Sequence, residues 1–303
     1  MPIDVLCIGH AAYDVSMVVD EFPAENSKRE TQVLLQSGGG PAANAACLLS
    51  SWGTHCAFAG LVGDDDYGRR IRAEFEAAGT DISLLELRPG YDTPLSFILV
   101  NQKNASRTIV NRKAQKRSLE VPAAKLATLA PSILVFDGHE LPASLAALEA
   151  FPDAVSILDA GSWREGTAKL AELVDYLVTS EPFAMRASAV ADLGSDEAQR
   201  DCVRELRDRF GAITIVTLGE NGLIADDGSG FHHFPAYPAE AVDTTAAGDI
   251  FHGALVYAIA SKMAFDESLR FAAMAASLSV RVAGGRGSIP TLDQVKEALL
   301  HAG

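Results

Sequence analysis

Positive charge is the scarcest commodity of this 303-residue chain: 25 Lys and Arg stand against 40 Asp and Glu, a formal net charge of −15. Nucleic acid and anionic membrane surfaces select clustered Lys and Arg, so neither is expected as the main partner. Cysteine is scarce too. Cys7, Cys47, Cys56 and Cys202 form no C-x-x-C pair and have no His at metal-ligand spacing, which leaves buried reduced thiols as the expectation. No apolar run is long enough to span a bilayer. The opening M-P-I-D-V-L-C-I-G lacks a basic flank and reads as a first strand, so a cytoplasmic location is expected. There is no internal repeat and no low-complexity linker to separate domains.

What is present is an alternation. Val5 to Ile8, Ala57 to Leu61, Ile133 to Phe136, Val155 to Leu158, Tyr176 to Val178 and Ile213 to Thr217 read as short buried strands with helical patterns between them. That order predicts an α/β fold: a mostly parallel central sheet with helices on both faces and ligands at the carboxyl ends of its strands. Residues 14–20, 30–36, 95–101 and 107–111 break the pattern, being β-prone with no helix between neighbours. They predict a small separate sheet formed by roughly 13–37 and 92–114. As an outgrowth of one domain spanning 1–303, it would serve as a lid or pair with another subunit to cover an apolar face.

Asp243 to Leu255, D-T-T-A-A-G-D-I-F-H-G-A-L, carries the most chemistry. Small residues Ala246, Ala247 and Gly248 open an apolar helix whose first-turn N–H groups have no intrahelical partner and can bind an anion. Asp249 stands in that same turn. Its own charge repels an anion, so its economical role is to take a proton from a hydroxyl attacking a phosphoryl group held there. Upstream, S-G-G-G-P-A-A-N from Ser37 to Asn44 offers glycines for close approach of a ligand, Pro41 at a first helical position, and Asn44 as donor and acceptor one turn in. It is neither G-x-x-x-x-G-K-[ST] nor G-x-G-x-x-G, which argues against a P-loop or dinucleotide fold.

The two motifs, in this order and at this separation, resemble the signatures of the ribokinase-like (PfkB) carbohydrate kinases. Gly9 with Asp14, G-L-V-G-D from Gly60, V-T-L-G-E-N-G from Val216 and G-G-R-G-S-I-P from Gly284 extend the resemblance from Ile3 to Pro290. It implies a three-layer ribokinase-like sandwich with a β-sheet lid, and an ATP-dependent kinase with Asp249 as base and the amides of 246–249 as anion hole. Asp14, Gly39, Gly40 and Asn44 would hold the sugar. Thr217, Gly219 and Gly222, with Ser180, Glu181, Thr245, Gly248, Ala276 and Gly284, would lie on the nucleotide side. Magnesium would arrive with ATP, Glu181 helping to order its water, and a monovalent cation such as K+ would be compatible.

Two departures stand out. Ala246 puts a Cβ where the family has glycine, at a cost if the position needs positive φ. The family's N-x-x-E motif would fall at Ser180 to Phe183 and is absent. Within the family, D-T-P-L-S-F-I-L-V-N from Asp92 with R-T-I-V-N resembles ketohexokinase, while G-G-G-P-A-A, S-E-P and F-H-G-A-L resemble bacterial sulfofructose kinase. Both imply a ketohexose, fructose or a modified fructose, phosphorylated at a primary hydroxyl. A sugar acid of the ketodeoxygluconate type, ribose or a nucleoside is the alternative, and a non-catalytic binding regulator a further one. Lys28 and Asn111 match substrate positions of the sulfosugar enzyme. His139 stands where that enzyme has arginine, and can donate to an anion when protonated or hydrogen-bond a neutral sugar when not. Arg107 and Arg112 alternate on one lid strand, within a basic patch completed by Lys113, Lys116 and Arg117. His252 follows the base by one turn, on the nucleotide side or beside the chemistry; His232 and His233 lack a third ligand and read as strand-edge residues. A homodimer through the lid sheets is expected.

Overall fold

Val5, Leu6, Cys7 and Ile8 are all fully buried, which an all-apolar strand achieves only at the centre of a sheet covered on both faces. In the computed structural model, which describes residues 4–113 and 117–302, this strand is β1 (Val5–Ile8). It is followed by β2 (Ala12–Val19), β3 (Leu34–Gly39), β4 (Cys56–Gly63), β5 (Asp81–Arg88), β6 (Leu95–Asn101) and β7 (Arg107–Arg112). Then come β8 (Ile133–Phe136), β9 (Val155–Ala160), β10 (Tyr176–Ser180), β11 (Ile213–Thr217), β12 (Leu223–Asp226) and β13 (Phe231–Phe234). Lys116 and Ile3 lie outside the described residues.

Nine strands form one sheet in the order β13-β12-β11-β10-β9-β8-β1-β4-β5. All neighbours run parallel except at one end, where β12 pairs antiparallel to β11 and β13 antiparallel to β12. These two strands, and the edge strand β5, add to the six that alternation alone reveals. Successive residues of β1 feed opposite layers: Val5 and Cys7 pack with the helices Pro41–Ser51, Ala247–Ala260 and Phe265–Ser279, Leu6 and Ile8 with Leu141–Ala150 and Asp196–Phe210. The strand order reverses between β1 and β8, so the crevice at their carboxyl ends is the place where such a sheet receives a ligand.

The smaller sheet has the order β3-β2-β6-β7. β2 pairs parallel with β6 and antiparallel with β3, and β6 antiparallel with β7, so the sheet is mixed. Register puts Met17 beside Leu34, and Phe97 beside Val110; these four apolar side chains are exposed. The four cysteines are free and buried, and no helix among the described residues is long and apolar enough to cross a membrane.

Candidate active site

Two helices deliver the central pair. Gly40 precedes the Pro41–Ser51 helix at φ 107°, a conformation open to glycine alone, and places Asn44 one turn in. The Ala247–Ala260 helix places Asp249 in its first turn. The two meet across the crevice, where Asn44 Nδ2 donates to Asp249 Oδ2 at 2.7 Å. Burial raises the Asp249 pKa to about 7, and the Asp159 and Asp14 carboxylates add to the rise; the Asn44 donor and His252 oppose it.

The anion loop is built around a buried carboxylate. Asp243 Oδ1 accepts the Thr245 N–H (2.9 Å) and hydroxyl (2.7 Å), and its Oδ2 accepts the Gly284 N–H (2.9 Å). The Thr245 hydroxyl is thus spent on the loop itself. Ala247 N–H closes a turn onto Thr244 O at 3.3 Å, which withdraws it from the expected anion hole. Among the described residues, Ala246, Gly248 and Asp249 N–H have no backbone acceptor, and Gly248 has open space where a Cβ would lie. Ala246 occupies the left-handed region, at φ 61° and ψ 7°, so the departure noted in the sequence costs backbone strain. Ala246→Gly relieves about 1 kcal/mol of that strain, partly offset by the entropy of a more flexible unfolded chain. The expected result is a melting temperature equal to or above the parent's with kcat undiminished; a clear loss of stability would show that the methyl packs usefully.

Asp14 on β2 lies in register with Ser96 on β6, which in turn faces Asn111 on β7, a polar row across three strands. Burial raises the Asp14 pKa, while the Ser96 hydrogen bond and the nearby Arg286 guanidinium lower it. Gly39 lies directly beneath: a Cβ there would come 2.0 Å from Asp14 Oδ2. Two expected residues are placed otherwise. Lys28, between β2 and β3, is 85% exposed beside Glu30 at 3.5 Å, and Arg107 donates to the Thr244 hydroxyl, toward the anion loop. Arg112 donates to Thr93 O at 2.8 Å.

At the β1/β8 crevice His10 and His139 stack at 4.3 Å between ring centroids. Asp137 Oδ2 accepts the His10 N–H at 2.8 Å and the Ala42 N–H at 3.3 Å, and its Oδ1 the His139 N–H at 3.0 Å. Arg164, which follows β9 and caps the Glu165–Leu170 helix, meets His139 Nε2. Burial, His139, Arg164 and Lys113 hold the His10 pKa down to about 3 against the pull of Asp137. His139 is lowered as well, by burial first and then by Arg164 and Lys113. Both imidazoles are therefore held toward the neutral form, and of the two states the sequence leaves open for His139 the fold favours the neutral one. Among the described residues, Arg164 and Lys113 bring fixed positive charge to the pair.

On the other side, Ser180 caps the Glu181–Ser188 helix by accepting from Phe183 N–H at 3.4 Å, and its hydroxyl donates to Gly161 O at 2.9 Å. Glu181 is half-buried at the start of that helix. Thr217 ends β11 and donates to Thr179 O at 3.2 Å. Gly219 and Gly284 have positive φ, as does Gly222, where a Cβ would meet Phe234 O at 2.0 Å. Ala276 is half-buried on the Phe265–Ser279 helix. His252 lies beneath the loop: its Nδ1 meets Gly248 O at 2.6 Å and Asp159 Oδ2 at 3.3 Å. His232, paired with Asp227 and Asp266, and His233 are on the sheet edge β13. No group of three or more metal-ligating side chains occurs among the described residues.

The sequence model of the pfkB family carbohydrate kinases matches residues 2–292. The chain is 27% identical over 269 residues to the ribokinase of Haemophilus influenzae, covering 87% of this chain and 88% of that one. It is 25% identical over 300 residues to the ketohexokinase of Mus musculus, covering 94% and 98%. A solved structure from Agrobacterium tumefaciens superposes with a TM-score of 0.89 at 29% identity, over 100% of this chain and 99% of that one. Arabidopsis thaliana ribokinase complexed with ribose and ATP superposes at 0.81 with 23% identity, a likeness of fold. The chain belongs to the PfkB family of carbohydrate kinases and has the ribokinase-like α/β fold. It is an ATP-dependent carbohydrate kinase.

Proposed function

We propose that Asp249 is the general base of phosphoryl transfer from ATP to a primary hydroxyl of a ketohexose, fructose or a modified fructose, and that the preferred substrate carries an acidic group. The observation that carries the base assignment is a carboxylate with its pKa near 7 in the first turn of a helix, beside free N–H groups and hydrogen-bonded to Asn44. Asp14 and Asn44 orient the sugar hydroxyls. Asp249 takes the hydroxyl proton as the oxygen bonds to the γ-phosphorus and the bond to ADP breaks. The N–H groups of Ala246, Gly248 and Asp249 stabilise the phosphoryl oxygens as charge moves onto them.

The nucleotide side suits ATP and Mg2+. Gly219 and Gly248 have no neighbour within 4 Å where a Cβ would stand, which leaves room for phosphates to approach the backbone. Magnesium supplies charge neutralisation on the β- and γ-phosphate oxygens when it is bound. Ser180 and Glu181 are the side chains nearest to the role of ordering its water. The smaller sheet acts as a lid, Arg107 linking it to Thr244, and the apolar strip of Met17, Leu34, Phe97 and Val110 covers a second copy in a homodimer. The K+ expectation rests on the family resemblance.

The substrate class follows from charge. In a chain of net charge −15, Arg164 and Lys113 flank the His10–His139 stack at the ligand crevice, and the Asp137 carboxylate beside the stack is already taken by three N–H donors. An acidic group at the end of the sugar away from the reacting hydroxyl completes that arrangement. Arg164→Met should lower kcat/KM for sulfofructose or ketodeoxygluconate by roughly 10- to 100-fold while leaving fructose within about threefold. Equal losses on acidic and neutral sugars would remove the acidic-group assignment and leave the kinase assignment standing.

A further inference from the structure

A buried arginine behind the sugar pocket has no place in the chemistry described so far. Arg286 lies in the turn after the Phe265–Ser279 helix, its side chain only 7% exposed, with its guanidinium 4.6 Å from the centre of the Phe75 ring. Its Nη1 donates to Glu74 Oε2 at 2.9 Å, and the same oxygen accepts the Gly38 N–H at 2.7 Å. Its Nε donates to Asn44 Oδ1 at 3.2 Å. Its Nη2 is buried with no partner among the described residues. A fold that only needed a cation to neutralise Glu74 would not leave a guanidinium donor unmet in its interior.

We propose that Arg286 is a positioning residue for phosphoryl transfer, fixing the Asn44 amide in the orientation that presents its N–H to Asp249. This rests on the assignment of Asp249 as base. The chemistry of the chain admits one orientation. With Arg286 Nε–H on one side and the Asp249 carboxylate on the other, Asn44 must turn its oxygen to the arginine and its nitrogen to the aspartate. A flipped amide would oppose donor to donor and acceptor to acceptor. Without Arg286 only the Asp249 contact selects the rotamer, and Asn44 is free to follow the sugar hydroxyls instead. Glu74 holds the arginine in turn. Arg286 also lines a cavity of about 520 Å³ with Trp52, Glu74 and Leu292, so there is room for it to swing out once that ion pair is gone.

The test compares Arg286→Met, Arg286→Lys and Glu74→Gln with the parent enzyme, reading kcat, KM for ATP and the pH dependence of kcat on a turned-over sugar. Asp249 is faced by Asp159 from β9, Asp14 from β2, His252 on its own helix and Asn44 from the Pro41–Ser51 helix; of these, Arg286 acts through Asn44 and also lowers Asp14. The expected result for Arg286→Met is a kcat about 10- to 100-fold lower. The acidic limb of the kcat profile should move to higher pH, with KM for ATP unchanged. Arg286→Lys should recover part of the loss and Glu74→Gln should move the limb the same way by less. A folded Arg286→Met with an unmoved limb overturns the proposal; if that variant does not fold, an unmoved limb in Glu74→Gln does so. Asp249→Asn run alongside separates the two claims, since turnover that survives it overturns the base assignment itself.

Discussion

Asp249→Asn should lower kcat about 10²- to 10⁴-fold on any sugar the enzyme phosphorylates, with the folded structure retained. The amide keeps the shape of the carboxylate and can still accept from Asn44, but it cannot take a proton. The same substitution has a second signature with a definite sign. The Asp249 pKa rises from an ordinary 3.8 to about 7 on folding, mainly through burial, so the folded state holds the proton more tightly than the unfolded chain does. Stability from this group is present below the unfolded value and is lost as pH rises through the folded one. Relative to the parent, Asp249→Asn should therefore gain little thermal stability near pH 4 and progressively more up to about pH 7, with a plateau above. Parallel melting curves across that range would contradict the raised pKa.

Gly40→Ala and Gly39→Ala should both cripple the enzyme, for different reasons. At Gly40 the backbone has φ 107° and ψ 139°, and an added Cβ would lie 2.2 Å from the His10 carbonyl oxygen. The backbone alone costs about 1–3 kcal/mol in that region, and the clash adds to it because the neighbour is main chain. A fall of about 5 °C or more in melting temperature is expected, together with loss of activity, since Gly40 sets the start of the helix that carries Asn44. At Gly39 the backbone is ordinary and the obstacle is the Asp14 carboxylate, 2.0 Å from the new methyl. Here stability should change little while KM for the sugar rises about tenfold or more, because the displaced group is the one proposed to orient the hydroxyls. Differential scanning fluorimetry with steady-state kinetics distinguishes the two cases; a Gly39→Ala enzyme with unaltered KM would remove Asp14 from the sugar site.

The contrast between these neighbours illustrates what a sequence conveys. The glycine run announced close approach, but only the backbone angles say that Gly40 needs freedom and Gly39 needs space. Strands β1, β8, β9, β10 and β11 were legible because burial on both faces leaves an unbroken apolar run. β12 and β13 were not, because a short antiparallel extension at a sheet edge has no periodicity of its own. Asp14, Asn44 and Asp249 are legible as candidates because they sit in local motifs. Arg164 and the Arg286–Glu74 pair were missed because their meaning lies in contacts across long stretches of chain: 212 residues separate the ion pair. Arg164 carried one local clue, its place just beyond the carboxyl end of a buried strand. Lys28 is the reverse case, a position that matches by resemblance and whose ammonium stands in solvent beside Glu30. His139 is legible as a residue at a strand end, but its protonation state depends on burial, Asp137, Arg164 and Lys113, which no spacing rule connects to it.

The role of Asp249 is tested most directly by mass-spectrometric detection of sugar phosphate formed from ATP and Mg2+ over a panel of fructose, sulfofructose, ketodeoxygluconate, ribose and nucleosides, by the parent enzyme and by Asp249→Asn. One ketose or sugar acid should be phosphorylated with stoichiometric release of ADP, and that product should disappear in the variant. Undiminished phosphorylation by Asp249→Asn, or a nucleoside as the sole substrate, would contradict this expectation.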